Sequence, residues 1–105
     1  MQYELKEFRK AQTSPYADWF NGLDARTAAR IERYVRRMEN GNFGDSKGVG
    51  EGVQELRINF GAGYRVYYGR DGERIVILLG GGSKKKQSAD IKAAKARWAE
   101  YRKTR

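Results

Sequence analysis

The chain has 105 residues, 39% hydrophobic and 33% charged, which suits one domain over 1–105 with a single modest core. It contains neither Cys nor His, so disulfides, thiolate metal sites and the usual neutral-pH proton carrier are excluded, and no metal or other cofactor is expected. The formal charge of +9, from 22 Lys and Arg against 13 Asp and Glu, attracts a polyanion such as nucleic acid, or else an acidic protein partner.

In chain order, "YELKEF" alternates Tyr3 and Leu5 with Glu4 and Lys6 and predicts a first strand. "TSPYADWFNGL" predicts a short helix with Ser14 as N-cap and Pro15 at its first position. Asp24 caps a second helix that runs to about Glu39 and ends at Gly41. Its apolar row is Ala28, Ile31, Val35 and Met38, and its opposite row is Arg26, Arg30, Arg33 and Arg37, read as a solvated face. "NGNFGDSKGVGEG" has no periodicity and reads as a glycine-rich connection.

A three-strand meander follows. "VQELRINF" and "YRVYYG" alternate about the turn "GAG", and Asp71-Gly72 signals a second, two-residue hairpin into "ERIVILL". Extrapolated from those turns, one sheet face carries Arg57, Asn59, Arg65 and Tyr67 beside Val76 and Leu78. The other carries Leu56, Ile58, Val66, Ile75 and Ile77 under the N-terminal helices, and a one-residue slip would invert the assignment. The lysines of "GGGSKKKQSADI" form a loop, after which Ser88 caps a C-terminal helix with the apolar row Ile91, Ala94, Trp98 and Tyr101. The whole is an α+β fold: a twisted antiparallel sheet with two N-terminal helices on one face and a C-terminal helix.

The longest apolar run, Ile75 to Leu79, falls far short of the ~20 residues of a membrane span, and the charged, alternating N-terminus does not read as a signal peptide. A cytoplasmic protein with no membrane partner is expected. Nine basic residues between Ser83 and Arg105 face only Asp90 and Glu100, so this tail holds +7 of the +9. Arg57, Arg65 and Tyr67 beside the lysine loop would suit a phosphate; alternatively, the arginines are exposed strand residues paired with Glu55 or Glu73. "GGGSKKK" lacks the Gly, Lys and Ser/Thr spacing of a P-loop. RNA cleavage without histidine would rest on arginine charge stabilisation and on proton exchange by Lys84, Lys85 or Lys86, slow unless the substrate is already ordered.

The segments "NFGDSKGVGEGVQELRINFGAGYRVYY" and "ILLGGGSKKKQSADIKAAKARW", in that order, resemble the RelE/ParE toxin superfamily, in its HigB-like, phage-related branch of addiction module killer proteins. The resemblance implies the microbial RNase-like toxin fold and the toxin of a type II toxin-antitoxin system. The implied activity is a metal-independent, ribosome-dependent mRNA endonuclease (mRNA interferase) that inhibits translation. Residue by residue, the resemblance matches Arg65 to the arginine that acts on the scissile phosphate, Lys84 and Lys85 to a basic pair, and Arg57 to the preceding strand's arginine. Taken with the face and loop read from the residues, the expected catalytic set is Arg65, Lys84 and Lys85, with Arg57, Tyr67 and Lys86 as RNA or phosphate contacts. The implied partners would be mRNA on the ribosome and a cognate antitoxin, often a helix-turn-helix protein; the register reading, which exposes the apolar pair Val76 and Leu78 beside Arg65, offers that pair as the antitoxin's seat. Val53 and Glu55 stand where RelE-type nucleases place lysines, and the C-terminal catalytic tyrosine has no match. A ParE-like DNA gyrase inhibitor and a non-catalytic RNA- or ribosome-binding protein are the alternatives.

Overall fold

The computed structural model describes residues 2–104. Its elements are β1 (Glu4–Glu7), α1 (Pro15–Asn21), α2 (Ala25–Arg37), β2 (Asp45–Gly50), β3 (Val53–Ile58), β4 (Tyr64–Asp71), β5 (Ile75–Ser83) and α3 (Gln87–Thr104). The helix starts are local chemistry: Ser14 Oγ accepts from the Ala17 amide, and the Asp24 carboxylate accepts from that of Thr27. A 3₁₀ turn, Met38–Asn40, tightens the end of α2, and Gly41 closes it at φ 85°.

The strands form one sheet in the order β1-β5-β4-β3-β2. The meander is antiparallel as expected, whereas β1 lies parallel to β5, so the sheet is mixed. β2 arises in the glycine-rich connection, where the sequence shows no alternation. It forms because β3 presents a free edge, and Asp45 to Gly48 pair with Arg57 to Gln54.

Two layers of side chains sandwich the sheet. On one face Tyr16, Ile31, Val35 and Met38 from the helical layer pack on Leu56, Ile58, Val66, Tyr68, Val76 and Leu78. On the other, Ala94 and Trp98 of α3 pack on Val53, Tyr67, Ile77 and Leu79. Trp98 fits because Gly52 and Gly69 lie beneath it; a Cβ on either would stand 2.6 Å from its ring.

This overturns the expected open face. Val76 and Leu78 are 0% and 2% exposed, and lie under the α1–α2 layer, while Ile77 faces α3. The second hairpin pairs Asp71 with Ile75 across a three-residue turn, not two. The register moves by an odd number, so β5 turns its other side to the helices. The first hairpin pairs Ile58 with Tyr64, a two-residue shift that keeps Arg57 and Arg65 on their expected face. Val76 and Leu78 therefore offer no surface for an antitoxin.

Candidate phosphate-binding site

Register places the site. Arg57 is directly opposite Arg65 on β3 and β4, and Arg65 is opposite Gly82 on β5. One step along, Glu55 is opposite Tyr67, and Tyr67 is opposite Gly80. All these positions face α3. Between Tyr68–Leu78 and Tyr67–Gly80 the ladder has a bulge, with Leu79 as the extra residue, which shifts the phase of β5.

Gly80, Gly81 and Gly82 are strand residues of β5. A side chain on Gly81 would collide with Trp19 of α1. One on Gly82 would collide with the Asp90 carboxylate, and one on Gly80 would stand 2.7 Å from Arg97 Nη1. Arg97 uses that space to donate to the Leu79 carbonyl at 2.9 Å. Their absent side chains let α1 and α3 close on the sheet from both sides.

The lysines also differ from expectation. Ser83 is extended, and Lys84–Lys86 already form a 3₁₀ turn that runs into α3 at Gln87. Ser88 is thus inside the helix, not its cap. The Lys84 amide donates to the Gly63 carbonyl at 3.1 Å, which docks this turn on the β3–β4 loop.

The outcome is a pocket of about 360 Å³ lined by Asn59, Phe60, Gly61, Gly63, Arg65 and Lys84. A Cβ on Gly63 would lie 3.6 Å from Lys84 Cβ and 3.9 Å from Arg65 Nη1, so the guanidinium tip and the lysine stem flank the same loop. Lys85 and Lys86 are exposed beside it and, with Lys84, border a shallow hollow of about 470 Å³. Arg30 of α2 stacks on Phe60 with its guanidinium carbon 4.3 Å from the ring centre, extending the positive field behind the pocket.

Of the expected site residues, Arg65 and Lys84 line one pocket, and Lys85 and Lys86 border a second hollow that shares Lys84 with it. Arg57 pairs with Asp45 at 3.3 Å, and its Nε is buried without a hydrogen-bond partner. Tyr67 does not serve as expected. It is 1% exposed beneath α3 and cannot stack on a base. Its hydroxyl donates to Glu55 Oε2 at 3.3 Å, and burial, reinforced by the Glu55 charge, pushes its pKa up and keeps it protonated.

Three residues with a part in the site, Glu55, Gln87 and Asp90, carried weak or no sequence signal. Glu55, on the face of Arg57 by alternation, is fully buried, with Oε2 3.6 Å from Arg65 Nε. Gln87 donates to the same oxygen at 2.8 Å. Asp90, in the first turn of α3, has its carboxyl pKa raised by burial against the opposing pull of Lys86 and Arg97. The arrangement can bind an anion through planar guanidinium donors and mobile ammonium groups. Among the described residues no group of His, Cys, Asp and Glu could hold a metal ion, and no helix is long and apolar enough to cross a membrane.

Among known proteins, the chain is 45% identical over 84 residues to a protein of Haemophilus influenzae whose description is "Uncharacterized protein", covering 79% of this chain and 85% of that one. The family described as "Phage derived protein Gp49-like (DUF891)" matches residues 18–103, from within α1 to near the end of α3, leaving β1 outside the match. With the sheet core, the basic pocket and α3 all inside that span, the chain belongs to the Gp49-like family of phage-derived proteins.

Proposed function

We propose that this protein is the toxin of a type II toxin-antitoxin system and cleaves mRNA on the ribosome, as the HigB-like branch of RelE/ParE toxins is understood to do. The observation that carries the reading is the convergence of Arg65 and Lys84 on one pocket, with Lys85 and Lys86 on a second hollow that shares Lys84. In this reading the scissile phosphate sits between the Arg65 guanidinium and the Lys84 ammonium. The neighbouring 2′-hydroxyl attacks phosphorus in line, its proton leaves, the bond to the 5′ oxygen breaks and that oxygen takes up a proton. Arg65 and Lys84 stabilise the charge that builds on the non-bridging oxygens. Lys85, exposed on the same turn, is the candidate to exchange protons with the leaving oxygen. Tyr67 is buried and keeps only a supporting role behind Arg65.

Such a site has strong charge stabilisers and weak proton carriers, which suits a substrate ordered by something else; the ribosome supplies that order. The protein then acts in the cytoplasm and is silenced by a cognate antitoxin of helix-turn-helix type. Induced expression followed by primer extension on cellular mRNA tests the reading: cuts within translated codons are expected, and none from Arg65→Ala. Growth arrest with altered DNA supercoiling and intact mRNA would assign gyrase inhibition instead. Ribosome association without cuts would leave a binding protein.

A further inference from the structure

We infer that Glu55 is a positioning residue for the phosphate site, holding Arg65 by its Nε and the lysine turn by way of Gln87; the inference rests on the phosphodiester reading above. A carboxylate with 0% exposure sits beside Val53, also 0%, where an apolar residue would pack without the desolvation cost of a buried charge. Three donors approach its Oε2: the Gln87 amide at 2.8 Å, the Tyr67 hydroxyl at 3.3 Å and Arg65 Nε at 3.6 Å. Oε1 and Arg65 Nε have no hydrogen bond, so the pair is an ion pair looser than a bonded one. Attraction at Nε directs Arg65 without occupying the two terminal nitrogens, one of which reaches Gly63 at the pocket. Gln87 directly follows Lys86, so its bond to Glu55 fixes the start of α3 and the register of Lys84–Lys86. One buried carboxylate thus gathers cations that come from two separate elements, and also offsets the repulsion between the facing Arg57 and Arg65.

The test uses the full chain and has a spectroscopic arm independent of activity. In the parent protein the Arg65 Nε–H signal, assigned by its loss in Arg65→Lys, is expected to exchange with solvent more slowly than those of the exposed arginines. In folded Glu55→Gln it should move and exchange faster. In a ribosome-dependent cleavage assay Glu55→Gln should lower kcat by about 10²-fold, the scale of a misplaced catalytic group, with KM little changed. Gln87→Ala, whose side chain is half-buried, should produce a smaller kcat loss and probes the lysine-turn arm even if Glu55 variants fail to fold. A parent Arg65 Nε–H that exchanges like an exposed arginine, or a folded Glu55→Gln that cleaves as the parent does, would overturn the inference. A protected Nε–H that responds to Glu55→Gln in a protein that cuts no RNA would support the Glu55 anchor and reject the nuclease reading.

Discussion

Arg57 and Arg65 stand directly opposite each other on adjacent strands, a like-charged pair at the pocket end of the sheet. Like charges facing across a ladder are destabilising, and here each has one acidic neighbour, Asp45 at 3.3 Å and Glu55 at 3.6 Å. An anion bound at Arg65 would relieve the pair further. Inorganic phosphate should therefore raise Tm relative to chloride at equal ionic strength, by a stabilisation of roughly 1.4 kcal/mol at ten times its Kd. Thermal melts of the parent and Arg65→Ala check this. The variant should show no phosphate-specific shift, and an equal shift in both would place the anion elsewhere.

Trp98 is held by what is missing beneath it. Gly69→Ala puts a methyl 2.6 Å from Trp98 Cε3, within a packed layer where little can yield. Overpacking of this kind costs about 1–3 kcal/mol, and Trp98→Ala, which empties the layer, about 3–5 kcal/mol. Urea unfolding measures both. Gly72→Ala, at φ 70° with open space around it, meets no atom within 4 Å, so its loss comes from backbone strain alone.

Leu78→Ala should behave as a core deletion, losing about 2–5 kcal/mol, because Leu78 lies at 2% exposure among Tyr16, Ile31 and Val35. Had the side chain faced solvent as a partner's seat, the change would hardly affect folding. Denaturant midpoints separate the two outcomes directly.

Asp90→Asn should stabilise the protein near neutral pH. Burial against Gly82 raises the folded-state pKa of this carboxyl, so the folded state holds its proton more tightly than the unfolded chain. The protonated group's contribution is whole below the unfolded pKa and is lost as pH rises through the folded one. Parent and variant should thus converge in acid and separate above the raised pKa. A stability gap that is flat with pH would mean that Asp90 titrates normally.

What could be read along the chain was whatever depends on near neighbours. Ser14 and Asp24 each cap an amide three residues on, and both helix starts fall where those short hydrogen bonds require. Alternation put Arg57, Arg65 and Tyr67 on one face, and an even shift in the first hairpin left that intact. The basic tail needed only counting.

The tertiary structure decided the rest, because those features depend on partners distant in sequence. One extra residue in the turn after Asp71 inverted β5 and buried Val76 and Leu78. β2 exists only because β3 offers it an edge, and Tyr67 and Glu55 are buried only because α3 returns across that face with Trp98 and Gln87. The glycines of "GGGSKKK" turn out to be space for Trp19, Arg97 and Asp90, and the lysines after them the first turn of a helix. Charge and capping act over a few bonds and are written in the chain, whereas which side of a strand meets a helix is settled by register and packing, which no single segment contains.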